Sequence, residues 1–335
     1  MTAPSTTPIR VGLIGGGGIA GFHIGGYAGS ADRIAITAVA DAHAETAARR
    51  GAELGVPHYP GIQELLENED VDAVDICLPH HLHRDAIITA AKAGKHILCE
   101  KPLCLTHEEA ADVRSAVEEA GVVLMCAHNQ LFLPPVAAAR AIIDSGALGD
   151  VYEVRTADSF RSDMTPETMG WRSHASTAGG GELIDTGYHP AYLLLHLAGA
   201  TPESAVAVLS THRLRWMEGE DSAQVLYTFD NGVVGHLTTS WAYEPAPGAE
   251  RFSVVGERGS LSSDGTSLAV ALNGQPAETI TFEAVDTFVA EIAHFADSVA
   301  AATRPLHSEK EGIEVLGMIL AAYESSRTAA FASVR

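Results

Sequence analysis

The feature that most restricts the fold of this chain is a glycine run near its start, Val11-Gly12-Leu13-Ile14-Gly15-Gly16-Gly17-Gly18-Ile19-Ala20. An apolar strand candidate, Arg10 to Ile14, leads into it, and a helical stretch through Gly25 follows. Gly15-x-Gly17-x-x-Ala20 fits the dinucleotide fingerprint. Gly15 permits a tight turn, Gly17 removes a side chain that would block a pyrophosphate, and the small Ala20 lets helix and strand approach closely. The backbone N–H groups of Gly18 and Ile19, at the helix start, are available to phosphates. Asp41 ends the next apolar run, Ile34 to Ala40, about 20 residues on, where a carboxylate accepts hydrogen bonds from the adenosine ribose and repels a 2′-phosphate. These residues predict NAD as cofactor in preference to NADP. Asp41 is also placed to cap the helix Glu45 to Leu54, and the two roles are compatible.

Apolar runs continue to alternate with helical stretches. Val71 to Leu78, Lys95 to Cys99 and Val122 to Ala127 read as buried strands, while Thr106-x-x-Glu109 is a capping box for a helix that ends at Gly121. This βαβ alternation predicts a parallel sheet. After Asn129 the texture changes: Val151 to Ser159, Ala205 to His212, Ala223 to Phe229 and Val233 to Trp241 are β-rich, with Asp230-Asn231-Gly232 as a hairpin turn between the last two. Two stripes at helical spacing follow, Phe288, Ile292, Phe295, Val299 and Ile313, Leu316, Leu320, Tyr323, both read as core packing. A length of 335 residues suits two domains, divided here as 1–128 and 129–335.

Composition narrows the function classes. The 43 acidic against 21 basic residues give a net charge of −22, which disfavours nucleic acid and anionic membrane surfaces and suits neutral polyols. Met1 to Arg10 lacks the apolar stretch of a signal peptide, and no segment reaches the ~18 apolar residues of a membrane span. Cys77, Cys99, Cys104 and Cys126 sit in apolar surroundings and read as reduced thiols of a cytoplasmic protein. His80, His81 and His83 lack a Cys or carboxylate pattern to complete a metal site, so no metal is expected.

Two further segments carry chemistry. Gly94-Lys95-His96-Ile97-Leu98-Cys99-Glu100-Lys101-Pro102-Leu103 places Glu-Lys-Pro at the end of a buried strand. In Gly179-Gly180-Gly181-Glu182-Leu183-Ile184-Asp185-Thr186-Gly187-Tyr188-His189, Asp185 is read as opening a helical stretch that runs to Leu197, with His189 one turn later on the same face. With the nucleotide fingerprint, Pro79-x-x-x-His83, Gly146-x-x-Gly149 and the closing Tyr323-Glu324-Ser325-Ser326, the chain resembles the Gfo/Idh/MocA family over nearly its whole length.

That resemblance implies an α/β Rossmann domain followed by an α+β domain with a large, mainly antiparallel open sheet. It also implies face-to-face packing of such sheets into a homodimer or homotetramer. Lys101, Asp185 and His189 are the implied active-site residues, and Pro79, His80, His83, Glu100 and Pro102 join the cofactor contacts, with Pro102 in cis. The implied reaction moves a hydride between a ring secondary alcohol, of a sugar, cyclitol or amino-sugar derivative, and nicotinamide. His189 is suited to general base, Asp185 to orienting its ring, and Lys101 to donating to the reacting oxygen. Whether Lys101 or His189 takes the proton stays open. Asn129, Arg161, Trp171, Arg172, Tyr188 and Tyr192 are further substrate-pocket candidates. The family often has aspartate where Tyr192 stands, and arginines where Gln130 and Leu131 stand, so substrate identity does not carry over. Redox-neutral chemistry with retained NAD and a non-catalytic NAD-binding regulator are the alternative readings.

Overall fold

The computed structural model describes residues 7–334. The first six residues of the Met1 to Arg10 segment, read above as lacking a signal peptide, lie outside the described residues. The first half of the chain runs β1 (Ile9–Ile14), α1 (Gly18–Ala28), β2 (Ile34–Ala40), α2 (Ala44–Leu54), β3 (His58–Tyr59), α3 (Ile62–Asn68), β4 (Ala73–Ile76), α4 (His83–Lys92), β5 (His96–Cys99), α5 (His107–Ala120) and β6 (Leu124–Cys126). Then come α6 (Pro134–Asp144), β7 (Val151–Ser159), α7 (Pro166–Met169), α8 (Ala175–Ala178), α9 (Tyr188–Ala198), β8 (Pro202–Ser210), β9 (Ser222–Phe229) and β10 (Val234–Ser240). The chain closes with β11 (Phe252–Gly256), β12 (Gly259–Ser263), β13 (Ser267–Leu272), β14 (Glu278–Thr281), α10 (Thr287–Ala301), α11 (Glu309–Thr328) and β15 (Ala332–Ser333).

These elements form two compact units, one of described residues 7–129 and 286–313, the other of described residues 130–285 and 314–334. The first holds a six-stranded parallel sheet in the order β3-β2-β1-β4-β5-β6. Its strands bury Val11, Leu13, Val39, Val74, Ile76, Ile97 and Leu98, the continuous apolar runs expected of a sheet covered on both faces. The strand order reverses between β1 and β4, the position at which open α/β sheets bind ligands. Local signals explain the helices. Thr106 caps α5 by accepting the Glu109 N–H, and Gly121 ends it in the left-handed region at φ 64°. The Glu109 carboxylate reaches back to the Leu105 N–H, at 2.7 Å.

The division differs from the sequence-based one in placing 286–313 with the Rossmann unit. The reason lies on α1, where a Cβ on Gly26 would stand 2.6 Å from Ile292 and one on Gly29 would stand 2.7 Å from Val289. Helix α10 therefore packs directly on the α1 backbone, with Ile292 and Phe295 wholly buried. Helical spacing in the sequence shows that a stripe is buried, not what buries it.

The second unit is built on a nine-stranded sheet in the order β14-β13-β12-β11-β7-β10-β9-β8-β15, antiparallel throughout except for the β7–β10 pair. The Asn231-Gly232 turn joins β9 to β10 as expected, with Gly232 at φ 84°. One face carries Ala205, Tyr227, Leu237, Val154 and Val254, all buried, and α9 lies on it, with Leu194 close to Gly235. Val208, Leu226, Val234 and Val255 lie on the other face, 39–69% exposed. Among the described residues no helix is long and apolar enough to cross a membrane.

Candidate active site

The cofactor loop behaves as its glycines demand. Gly15 sits at φ 94°, and a Cβ there would come 2.4 Å from the Cys77 carbonyl oxygen, so both backbone shape and space exclude any other residue. A Cβ on Gly17 or Gly18 would meet nothing within 4 Å, which leaves the start of α1 open on the side where a pyrophosphate approaches. No side chain caps that helix start, so its backbone donors remain available to a phosphate. Asp41, at the end of β2, is fixed by two backbone N–H groups, Gly16 to Oδ2 and His43 to Oδ1, each at 2.8 Å. It thus stands beside the glycine loop while also serving the entry to α2. Open glycines, an uncapped helix and a fixed carboxylate fit a dinucleotide.

The loops that follow β4 and β5 bring Pro79, His80, His83, Glu100, Lys101 and Pro102 to the same carboxyl edge of the sheet. The Lys101–Pro102 peptide is cis. His83 is wholly buried and ties the two loops together: Nδ1 lies 2.7 Å from the Pro102 carbonyl oxygen and Nε2 lies 2.8 Å from that of Leu78. Burial lowers its pKa, and a neutral ring donates to one of these carbonyls at a time.

Sequence reasoning missed the group that supports Lys101. His23, in the middle of α1 and wholly buried, sets Nδ1 2.8 Å from Asp75 Oδ2 and Nε2 3.0 Å from Glu100 Oε1. Glu100 Oε2 in turn accepts the Lys101 N–H at 3.1 Å. Burial opposes the charged ring, yet Asp75, by its charge and hydrogen bond, and Cys77 together raise the His23 pKa well above its usual value. Cys77 joins the cluster, its thiol 3.6 Å from Asp75 Oδ1, and burial pushes it up to about 12, so it stays protonated. His23, Asp75 and Cys77 have metal-like proximity, but both ring nitrogens of His23 face carboxylates as hydrogen-bond partners. Asp75 lies 52 residues and Glu100 77 residues from His23, and no local signal joins them.

In the second unit, Asp185 does not open the helix as expected. It lies in the turn before α9, where the Gly187 N–H donates to the Glu182 carbonyl at 2.9 Å. A Cβ on Gly187 would stand 2.7 Å from the Leu183 backbone, so the close approach in this turn is open only to glycine, and the helix starts at Tyr188. Glu220 and Tyr323 clamp the preceding glycines. Glu220 Oε1 accepts from the Leu183 N–H at 2.9 Å and from the Tyr323 hydroxyl at 3.1 Å, and a Cβ on Gly180 or Gly181 would collide with this pair. Trp241 Nε1 donates to Thr186 Oγ1 at 2.8 Å. Glu182 is wholly buried, accepts from the Thr239 hydroxyl, and is pushed by burial well above the usual carboxylate range.

Asp185 Oδ2 accepts from Arg172 Nε at 2.7 Å, and the Arg172 guanidinium lies 4.3 Å over the Trp171 ring. His189 is half-buried and sets Nδ1 2.8 Å from the Tyr192 hydroxyl. Tyr188 and Tyr192 are wholly buried. Arg161 is exposed, its N–H on the Glu244 carboxylate at 3.2 Å, and Asn129 belongs to the first unit, where Nδ2 donates to Thr287 Oγ1 at 3.3 Å.

A parallel sheet with a dinucleotide loop at its switch point, joined to an α+β unit carrying an Asp–His turn, defines a Rossmann-type oxidoreductase. The chain belongs to the Gfo/Idh/MocA family: residues 9–128 match its oxidoreductase model with an NAD-binding Rossmann fold, and residues 136–262 match the GFO/IDH/MocA C-terminal domain. It is 29% identical to 1,5-anhydro-D-fructose reductase of Ensifer adhaerens over 301 residues, covering 86% of this chain and 89% of that protein. It is 31% identical to levoglucosan dehydrogenase of Pseudarthrobacter phenanthrenivorans over 287 residues, covering 76% and 73%. Among solved structures, a levoglucosan dehydrogenase in complex with NADH and levoglucosan superposes with a TM-score of 0.89 at 27% identity, covering 98% of this chain and 100% of that one. The protein is an NAD-binding oxidoreductase, and its cofactor unit is the one read from the glycine run.

Proposed function

We propose that the protein oxidises, reversibly, a ring secondary alcohol of a sugar or close derivative, with NAD taking the hydride. The observation that carries this reading is the pairing of a fixed Asp41 carboxylate with an open glycine loop, a cofactor seat whose sheet edge also bears Lys101. Relatives named for 1,5-anhydro-D-fructose, levoglucosan and D-xylose favour sugars over the cyclitols that the sequence left equally open.

NAD supplies the hydride acceptor. The remaining work falls to this chain's own residues: His189 is suited to take the hydroxyl proton, and Lys101, half-buried, to donate to the reacting oxygen and favour its developing charge. Asp185, held by Arg172, is assigned to the electrostatics of the same step. We propose further that the protein works in the cytoplasm as a homo-oligomer joined through the uncovered sheet face of Val208, Leu226, Val234 and Val255.

The test is NADH formation on mixing purified protein, NAD and a panel of aldoses, anhydro sugars, inositols and amino sugars, with NADP in parallel. Turnover with NAD on a sugar supports the reading. Bound NAD without NADH formation on any member of the panel counts against it.

A further inference from the structure

We infer that Tyr192 is a positioning residue for His189: its hydroxyl fixes the ring and commits Nδ1, so that Nε2 is the nitrogen that exchanges the proton. The inference rests on the assignment of proton transfer to His189 made above.

Three observations on the second unit carry it. Tyr192 follows His189 by three residues on α9, so both side chains lie on one helical face. The Tyr192 ring is 0% exposed, so its hydroxyl works inside the protein. That hydroxyl meets both a backbone donor and the imidazole: the Gln130 N–H donates to it at 3.1 Å, and His189 Nδ1 lies 2.8 Å away, with the rings edge-on at 76°. A backbone donor is a fixed anchor, because no rotamer change removes it. Gln130 is steadied in turn by its side chain, whose Nε2 donates to Asp158 Oδ2 at 3.3 Å.

A phenol oxygen has one proton and two lone pairs. Gln130 occupies one lone pair, and the His189 contact is satisfied in either of two ways. The phenol donates to Nδ1, and the ring proton sits on Nε2; or Nδ1–H donates to the second lone pair, the phenol keeps its own proton turned away from the ring, and Nε2 carries its own lone pair. The second arrangement is the one alcohol oxidation needs. The substrate O–H bond breaks, an Nε2–H bond forms, the electron pair stays on the oxygen, and the resulting imidazolium keeps its Nδ1–H on the phenol oxygen. In the reverse direction the Nε2 proton returns to the oxygen. A carboxylate at position 192 would hold Nδ1–H with a full negative charge; Tyr192 does so without one.

The experiment compares Tyr192→Phe, Tyr192→Asp and His189→Ala with the parent protein. It reads NAD affinity, kcat and KM for the sugar, and the ring-nitrogen chemical shifts of 15N-histidine-labelled protein. We expect Tyr192→Phe to keep NAD affinity within about twofold and KM within about threefold while kcat falls about tenfold or more. The His189 nitrogen signals should move to a different tautomer balance, a readout that needs no substrate. Tyr192→Asp should retain more kcat than Tyr192→Phe, an order that a packing role would reverse. Full kcat and unmoved histidine signals in Tyr192→Phe would overturn the inference, as would a raised KM at unchanged kcat, which would make Tyr192 a substrate ligand. If His189→Ala itself turns over normally, the assignment of His189 fails instead.

Discussion

The Asp41 carboxylate is tied to the glycine loop through Gly16, whose N–H donates to Oδ2 at 2.8 Å. From the other side, Arg50 donates to the Gly16 carbonyl at 3.1 Å and to that of Gly17 at 3.2 Å. The carboxylate is therefore held by the protein alone, and on the proposed reading little ordering is left for ribose binding to accomplish.

Asp41→Ala should weaken NAD binding roughly 10- to 100-fold, the worth of about 1.5–3 kcal/mol for hydrogen bonds to a charged group. It should also narrow the preference over NADP, since the charge that repels a 2′-phosphate is gone. Titration of both nucleotides into the variant checks this. Unchanged NAD affinity would leave Asp41 a helix-entry residue alone.

Arg172 holds Asp185 by a 2.7 Å bond and stacks on Trp171, a geometry that depends on a planar guanidinium. Arg172→Lys should therefore lower kcat almost as much as Arg172→Met, about tenfold or more, with NAD affinity unchanged. A lysine variant with parental kcat would show that only the positive charge matters.

Much of the cofactor unit was legible because its signals are local. Ile34–Ala40 is apolar but for Thr37; Thr106 and Gly121 bracket α5; Gly15 stands where backbone geometry needs a glycine, and Gly17 leaves the start of α1 open. The Asn231-Gly232 hairpin was legible for the same reason. What stayed hidden depends on residues far apart in sequence. Helix α10 was recognised as a helix, but its seat on Gly26 and Gly29 was not, because glycines inside a helix look merely weak until a partner is known. Asp185 and His189 were found as a pair, whereas the turn that holds Asp185 ahead of α9 rests on a close approach of Gly187 to Leu183 that only the fold shows. Nothing in the sequence singles out His23, and only the fold brings Asp75 and Glu100 to it.

The uncovered sheet face offers a prediction on assembly. Val208 is 69% exposed and Val255 40%, on a face whose opposite side is sealed by α9. Exposed apolar side chains grouped on one sheet face suit an interface. Val208→Asp together with Val255→Lys should reduce the mass measured by light scattering to that of one chain while leaving the monomer folded by circular dichroism. An unchanged mass would place any oligomer contact elsewhere.

Glu291 provides the clearest prediction on pH. It lies on α10, wholly buried, and neither carboxylate oxygen has a hydrogen-bond partner among the described residues. Burial pushes its pKa well above the usual carboxylate range; His23 pulls it down, and Glu100 and Asp75 push it further up. The folded protein therefore keeps a proton on Glu291 that the unfolded chain releases above about pH 4.3. From there up to the folded pKa the native state binds more protons, so this group makes stability fall as pH rises. His23 has the same sign in a higher window: its contribution is present below about pH 6.5 and is lost as pH climbs toward the raised folded value. Glu291→Gln keeps the shape and removes the titration. It should stabilise the protein by about 1–3 kcal/mol at pH 7, with the gain shrinking toward zero near pH 4. Urea unfolding of both proteins at pH 4, 5.5 and 7 measures this, and a gain that does not depend on pH would mean that Glu291 is ionised in the native state.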